Sequence, residues 1–166
     1  MTADVLGIAS LIAAAAAAGA AAWQARLLRF SLQVQSLLAV EKTFSEREFR
    51  RIRHDAARQL QTNTPDPEVD DVLNFFATLA LLVRRRALDA EMVWHVFFYW
   101  LHGYWHAAHA YLDQERARNP RVWEDIPALY ARLLAIESRR GVQHQEDITE
   151  FLESEVEQYD AGNSGS

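Results

Sequence analysis

Residues 72–83 read VLNFFATLALLV, twelve positions of which only Asn74 and Thr78 are polar. Apolar side chains fall around nearly the whole circumference of a helix drawn through them, so the segment predicts the central buried helix of an all-α protein. That helix runs from Glu68 to about Arg85, with Asp66 as N-cap and Pro67 at the first helical position. On its N-terminal side, Ser45-Glu46-Arg47-Glu48 has the spacing of a capping box and opens a helix to about Gln61, with Phe49, Ile52, Ala56, Ala57 and Leu60 on one face. Arg47, Arg50, Arg51, Arg53 and Arg58 fall mostly off that face. On the C-terminal side, Asp89 caps a helix that extends toward Arg118, where Asn119-Pro120 ends it. Another helix runs from about Glu124 to Arg140 and stops at Gly141; an acidic helix from about Glu146 to Glu157 then precedes a disordered GNSGS tail. The facing sides of the third and fourth helices predict a core of Phe75, Phe76, Leu79, Leu82, Phe97, Trp100, Leu101 and Tyr104.

Ahead of these helices, Val5 to Trp23 (VLGIASLIAAAAAAGAAAW) is a run of 19 uncharged residues, close to the roughly 20 a helix needs to cross a bilayer's hydrocarbon core. Alanine dominates the run, and Leu6, Ile8, Leu11 and Ile12 carry most of its hydrophobicity. The rival reading is a cleaved signal peptide, but only Asp4 precedes the run, whereas Arg26 and Arg29 follow it. By the positive-inside rule the body is then expected in the cytoplasm and the N-terminus outside. No breaker separates the run from Leu27, Phe30, Val34 and Leu37, spaced three, four and three as in a helical seam, so one helix of roughly 55 Å is expected to about Glu41. The expected organisation is a transmembrane anchor (1–23), a juxtamembrane helix (24–44), a bundle of four to five helices (45–140), and an acidic helix with its tail (141–166). Ala15 and Gly19 stand in a small-xxx-small arrangement, which with the seam predicts a homodimer; packing of the seam on the protein's own bundle is the alternative.

The 166-residue chain has no cysteine, which excludes disulfides, thiolate nucleophiles and cysteine-held metals. Its six glycines include no close pair outside the last five residues, so a phosphate-cradling loop is not expected. The net charge of −6 hides a gradient: residues 24–58 hold eight basic against four acidic residues, and residues 141–160 hold seven acidic and no basic. Nucleic acid is not an expected partner with that balance.

Asn74-Phe75-Phe76, Leu82-Val83-Arg84-Arg85, Leu88-Asp89, Phe98 and Tyr104-Trp105 resemble a family of uncharacterised bacterial proteins, described only as a domain of unknown function. The resemblance covers about 35 residues. It implies an N-terminal membrane helix on a compact helical body, hence the bacterial inner membrane, and it brings no catalytic residues.

Candidate chemistry gathers on the fourth helix. His95, His102, His106 and His109 fall within a stripe about 60° wide at 100° per residue, with Glu91 and Asp113 on the same stripe. His102 and His106, at i and i+4, are spaced to share a divalent metal, although closing ligands would have to come from elsewhere, with only His54 and His144 left among the histidines. No bound metal is therefore expected: the favoured reading is a plain solvated or hydrogen-bonded face, with metal binding and a pH-responsive face as the alternatives. Trp94, Phe97, Phe98, Tyr99, Trp100, Tyr104 and Trp105 crowd the same helix and predict core packing, with a ligand groove or membrane contact as alternatives. Arg84, Arg85 and Arg86 could contact an anion or lipid headgroup, or could complement the helix C-terminus and pair with Asp89 or Glu91. Asn74 and Thr78 are expected to hydrogen-bond within the core, toward the fourth helix, and Glu150, Glu153 and Glu157 to form a solvated face. No catalytic residue and no cofactor is assigned. The favoured reading is a non-enzymatic, membrane-tethered interaction or regulatory module with an unidentified protein partner; the competing class is a metal-dependent enzyme or a metal or pH sensor.

Overall fold

The structure, a computed structural model, describes the backbone of residues 2–64, 67–141 and 147–163, and within these the side chains from 17 to 162. Among the described residues there are seven α-helices and no strand: α1 (Thr2–Ser45), α2 (Arg47–Gln61), α3 (Pro67–Arg84), α4 (Ala90–Ala107), α5 (His109–Arg118), α6 (Ile126–Arg140) and α7 (Ile148–Asn163). The long first helix outruns the predicted end at Glu41. Helical geometry carries on through Ser45, so the expected capping box does not form: the N-cap of α2 is Glu46, with no side-chain hydrogen bond. Asp66 lies outside the described residues. Asp89 caps α4 as expected, its Oδ1 accepting from the amides of Glu91 (2.8 Å) and Met92 (3.3 Å). The predicted fourth helix is redirected at Ala108 (φ −92°, ψ 8°), which is fully buried and separates α4 from α5. Gly141, at φ 67°, ends α6 in the left-handed conformation that glycine adopts without strain.

Among the described residues no helix is long and apolar enough to cross a membrane. The predicted span, Val5 to Trp23, falls largely on residues whose side chains lie outside the described set.

Of the predicted core, Phe76, Leu79, Phe97, Leu101 and Tyr104 are buried, while Phe75, Leu82 and Trp100 are half-buried against them. Phe44, at the end of α1, plugs this core. Its ring lies 5.0 Å from those of Phe75 and Trp100 and 5.3 Å from that of Phe97. The acidic C-terminal helix joins the bundle rather than trailing from it. Along α7, Glu150, Glu153 and Glu157 face solvent as expected, but Phe151, Leu152 and Glu155 are buried against α2 and α4. Phe151 packs edge-on against Tyr104 at 5.1 Å, directly over Gly103.

Glu155 is the polar anchor of that contact. Its carboxylate accepts from Arg53 Nη1 at 3.2 and 3.1 Å and from Trp100 Nε1 at 3.0 Å. The Tyr104 hydroxyl lies between Glu155 Oε2 (3.0 Å) and the Arg53 carbonyl oxygen (2.9 Å), donating its single hydrogen to this pair of acceptors. The Arg53 guanidinium sits 4.2 Å over the Phe44 ring. Burial, and then the Glu155 charge, push the Tyr104 phenol well above its ordinary pKa, so it stays a donor.

Two stability measurements probe this arrangement. An alanine methyl at position 103 would stand 2.5 Å from the Phe151 ring, so Gly103→Ala is expected to destabilise by about 1–3 kcal/mol, with partial recovery when Phe151→Leu is added. An unchanged melting temperature would show that α7 does not seat there. Glu155→Ala strands a buried guanidinium and is expected to cost about 3–5 kcal/mol in denaturant unfolding; a loss within 1 kcal/mol would show the pair to be water-exposed.

Candidate functional site

The histidine stripe does not survive as one face. α6 crosses it and presents Tyr130, whose hydroxyl lies 3.0 Å from His102 Nδ1 and 2.9 Å from His106 Nε2. The two imidazoles meet edge to face at 4.6 Å, and Trp105 stacks on Tyr130 at 5.1 Å. His95 stands apart beside Trp94, and His109, carried onto α5 by the turn at Ala108, faces Asp113 at 3.6 Å. His54 is elsewhere, buried on α2 between Asp55 (2.8 Å), Asp160 (3.5 Å) and the Tyr159 ring. His144 lies outside the described residues. No three His, Asp or Glu side chains among the described residues are grouped to hold a metal ion.

Tyr130 was not legible as a partner, because it follows Ile126 and precedes Leu133 on a helix that reads as ordinary core packing. Its hydroxyl hydrogen can go to one ring nitrogen only, so in the neutral state one histidine accepts it and the other donates its own N–H. Burial and then the Glu137 charge raise the Tyr130 pKa, which keeps the hydroxyl protonated. For His106, packing that strips water from the ring and then repulsion from His109 lower the pKa. A histidine with a depressed folded pKa binds protons more readily when unfolded, so stability falls as pH drops through the unfolded value near 6.5 and levels off below the folded one. The prediction is that His106→Gln flattens the pH dependence of the melting temperature between pH 7.5 and 5; an unaltered profile would remove His106 as its source.

Asn74 and Thr78 turn away from the fourth helix. The Asn74 side-chain carbonyl accepts from Trp123 Nε1 at 2.9 Å, in the turn before α6, and Thr78 Oγ1 donates to the Asn74 backbone carbonyl at 2.9 Å. Both border an open groove of about 600 Å³ between α1, α2 and α3, floored by Val40, Phe49, Ile52, Phe75, Leu79 and Leu82. Arg84 pairs with Asp125 at 2.7 Å, not with Asp89 or Glu91; Glu91 is met instead by Arg140 at 3.3 Å and Arg139 at 4.0 Å. Arg85 and Arg86 are exposed. Arg86 is in the left-handed region at φ 60°, and its carbonyl accepts from Gln33 Nε2 at 3.2 Å, fastening the end of α3 to α1.

Above that fastening, α1 leaves the bundle. All residues from 17 to 32 are exposed, among them Trp23 (63%), Leu27 (53%), Leu28 (63%), Phe30 (57%) and Leu32 (53%). Packing on the protein's own bundle therefore covers only the later part of the predicted seam, where Val34 and Leu37 are half-buried. An exposed apolar row of this size departs from an ordinary soluble surface.

Comparison with known proteins shows that the model of a family described as a domain of unknown function, DUF4760, matches residues 11–133. No curated protein and no solved structure matches the chain.

Proposed function

The chain belongs to the DUF4760 family, and from that premise we propose that it is a membrane-tethered helical interaction module that pairs with a second copy of itself through α1. The observation that carries this reading is the bare apolar row from Trp23 to Leu32, on a helix whose described side chains are exposed from 17 to 32 and meet the bundle from Gln33 onward. Upstream of that row the chain holds an uncharged run from Val5, and immediately downstream come Arg26 and Arg29, the order a single span with a cytoplasmic body requires. Trp23, Leu27, Phe30, Val34 and Leu37 are spaced four, three, four and three, so two parallel copies rising from one membrane would set like residues against each other. Arg26 and Gln33 on one flank of that seam face Ser31 and Leu38 on the other in a parallel pair, which brings no like charges together. The bacterial inner membrane as its location rests on the family resemblance carried by helices three and four.

The competing sensor reading keeps one specific support, the hydroxyl shared by His102 and His106, which couples a titratable pair to the α4–α6 contact. The metal-dependent enzyme version has no such support among the described residues.

The test uses the native absence of cysteine. In membranes holding the full-length protein, Leu27→Cys is expected to form disulfide dimers on mild oxidation, whereas Leu32→Cys, equally exposed but about 140° further around the helix, cross-links far less. Equal cross-linking at both positions, or none at either, would overturn the seam. A fluorescent reporter that matures only in the cytoplasm, fused to the C-terminus, is expected to glow; a dark fusion alongside an active periplasmic reporter would reverse the orientation.

A further inference from the structure

We infer that the end of the bundle at Arg85 and Arg86 is a docking surface for anionic lipid headgroups, which seats the body on the membrane beside its own tether. The inference rests on the tether reading above and deepens it.

Charge in the folded chain is sorted by position. The Gln33–Arg86 bond brings the C-terminus of α3 against α1, so Arg84, Arg85 and Arg86 stand at the corner where α1 leaves the bundle. Arg26 and Arg29 precede Gln33 by seven and four residues, which places them on the same face of α1, above that corner. The contacts with Glu91 bring Arg139 and Arg140 to the N-terminus of α4, two residues beyond the same turn. The seven arginines named here have Asp89, Glu91 and Asp125 among them, and apart from these ten the chain holds ten basic and twenty acidic residues. A surface so divided turns its basic end toward an anionic leaflet and its remainder away. Arg85 and Arg86 are exposed and have no ion pair among the described residues, so their guanidinium forks are open to phosphate oxygens.

Distance agrees with charge. Gln33 lies ten residues past Trp23, or about 15 Å along the helix, and the headgroup layer occupies about 5–8 Å of that. What remains is about one Debye length at physiological salt, within reach of arginine side chains pointing back along α1. Arg86 also holds a left-handed conformation in which glycine or asparagine would be less strained. Arginine at that position places a cation there at a conformational cost.

The experiment reconstitutes the full-length protein into vesicles carrying a headgroup-attached quencher, with a fluorophore on Ala87→Cys, next to the corner, or on Gln114→Cys, in α5. In vesicles with about one-third phosphatidylglycerol, the probe at 87 is expected to be quenched several-fold more than in pure phosphatidylcholine. That excess should vanish at high salt, and the probe at 114 should show none. Arg85→Gln with Arg86→Asn should lower the docked-to-free ratio by about fivefold per arginine. Asparagine suits the left-handed position, so the double variant should fold at least as well, which its melting temperature checks. Equal quenching in both vesicle types, or a double variant that behaves as wild type, would overturn the docking surface. Failure of the protein to float with either kind of vesicle would instead overturn the tether.

Discussion

The contact on which the architecture depends is the buried pair of Arg53 and Glu155, 102 residues apart. Taking two charges out of water is unfavourable unless the remaining lone pairs and protons are used; here Trp100 and Tyr104 serve the carboxylate and the face of Phe44 lies against the guanidinium, while Arg53 Nε has no hydrogen-bond partner among the described residues. The cluster therefore draws on α1, α2, α4 and α7 at once. A helix as acidic as α7 would otherwise have little reason to stay on the bundle, since its apolar contribution is chiefly Phe151 and Leu152. With Glu155 fixed, Phe151 is delivered onto Gly103, the one position on α4 where a ring can come so close.

Sequence reading reached what is encoded locally and missed what is encoded across helices. Apolar periodicity located the core of α3 and α4, the side chain of Asp89 marked the start of α4 and the left-handed freedom of Gly141 the end of α6, because each acts on its own few residues. Ser45 failed as a cap because Phe44, buried among five aromatic rings, holds α1 helical one turn further than the local motif suggests. Arg53 read as a surface cation and Glu155 as one of many tail carboxylates; nothing near either residue reports the other. Tyr130 was hidden for the same reason; it draws His102 and His106 into one shared pair, while the turn at Ala108 carries His109 away onto α5. The exposed row on α1 was legible as a seam, but whether the protein's own bundle covers it is a question only the fold answers.

The same helix carries these levels together. From Ala20 to Ser45 α1 contains neither glycine nor proline, so it has no hinge at which its upper part could bend independently of its lower part. At its lower end Phe44 lies over Arg53; one-quarter of its length higher, Gln33 grips Arg86; above that, from residue 32 back to 17, it is bare. The apolar upper row, the arginine corner and the aromatic hub over the ion pair are thus joined by one unbroken helix. A helix built in this way does more than connect two parts. It fixes how the bundle faces whatever α1 is attached to, which is why the uncovered row, the basic corner and the buried pair are best understood as three stations along one rigid element.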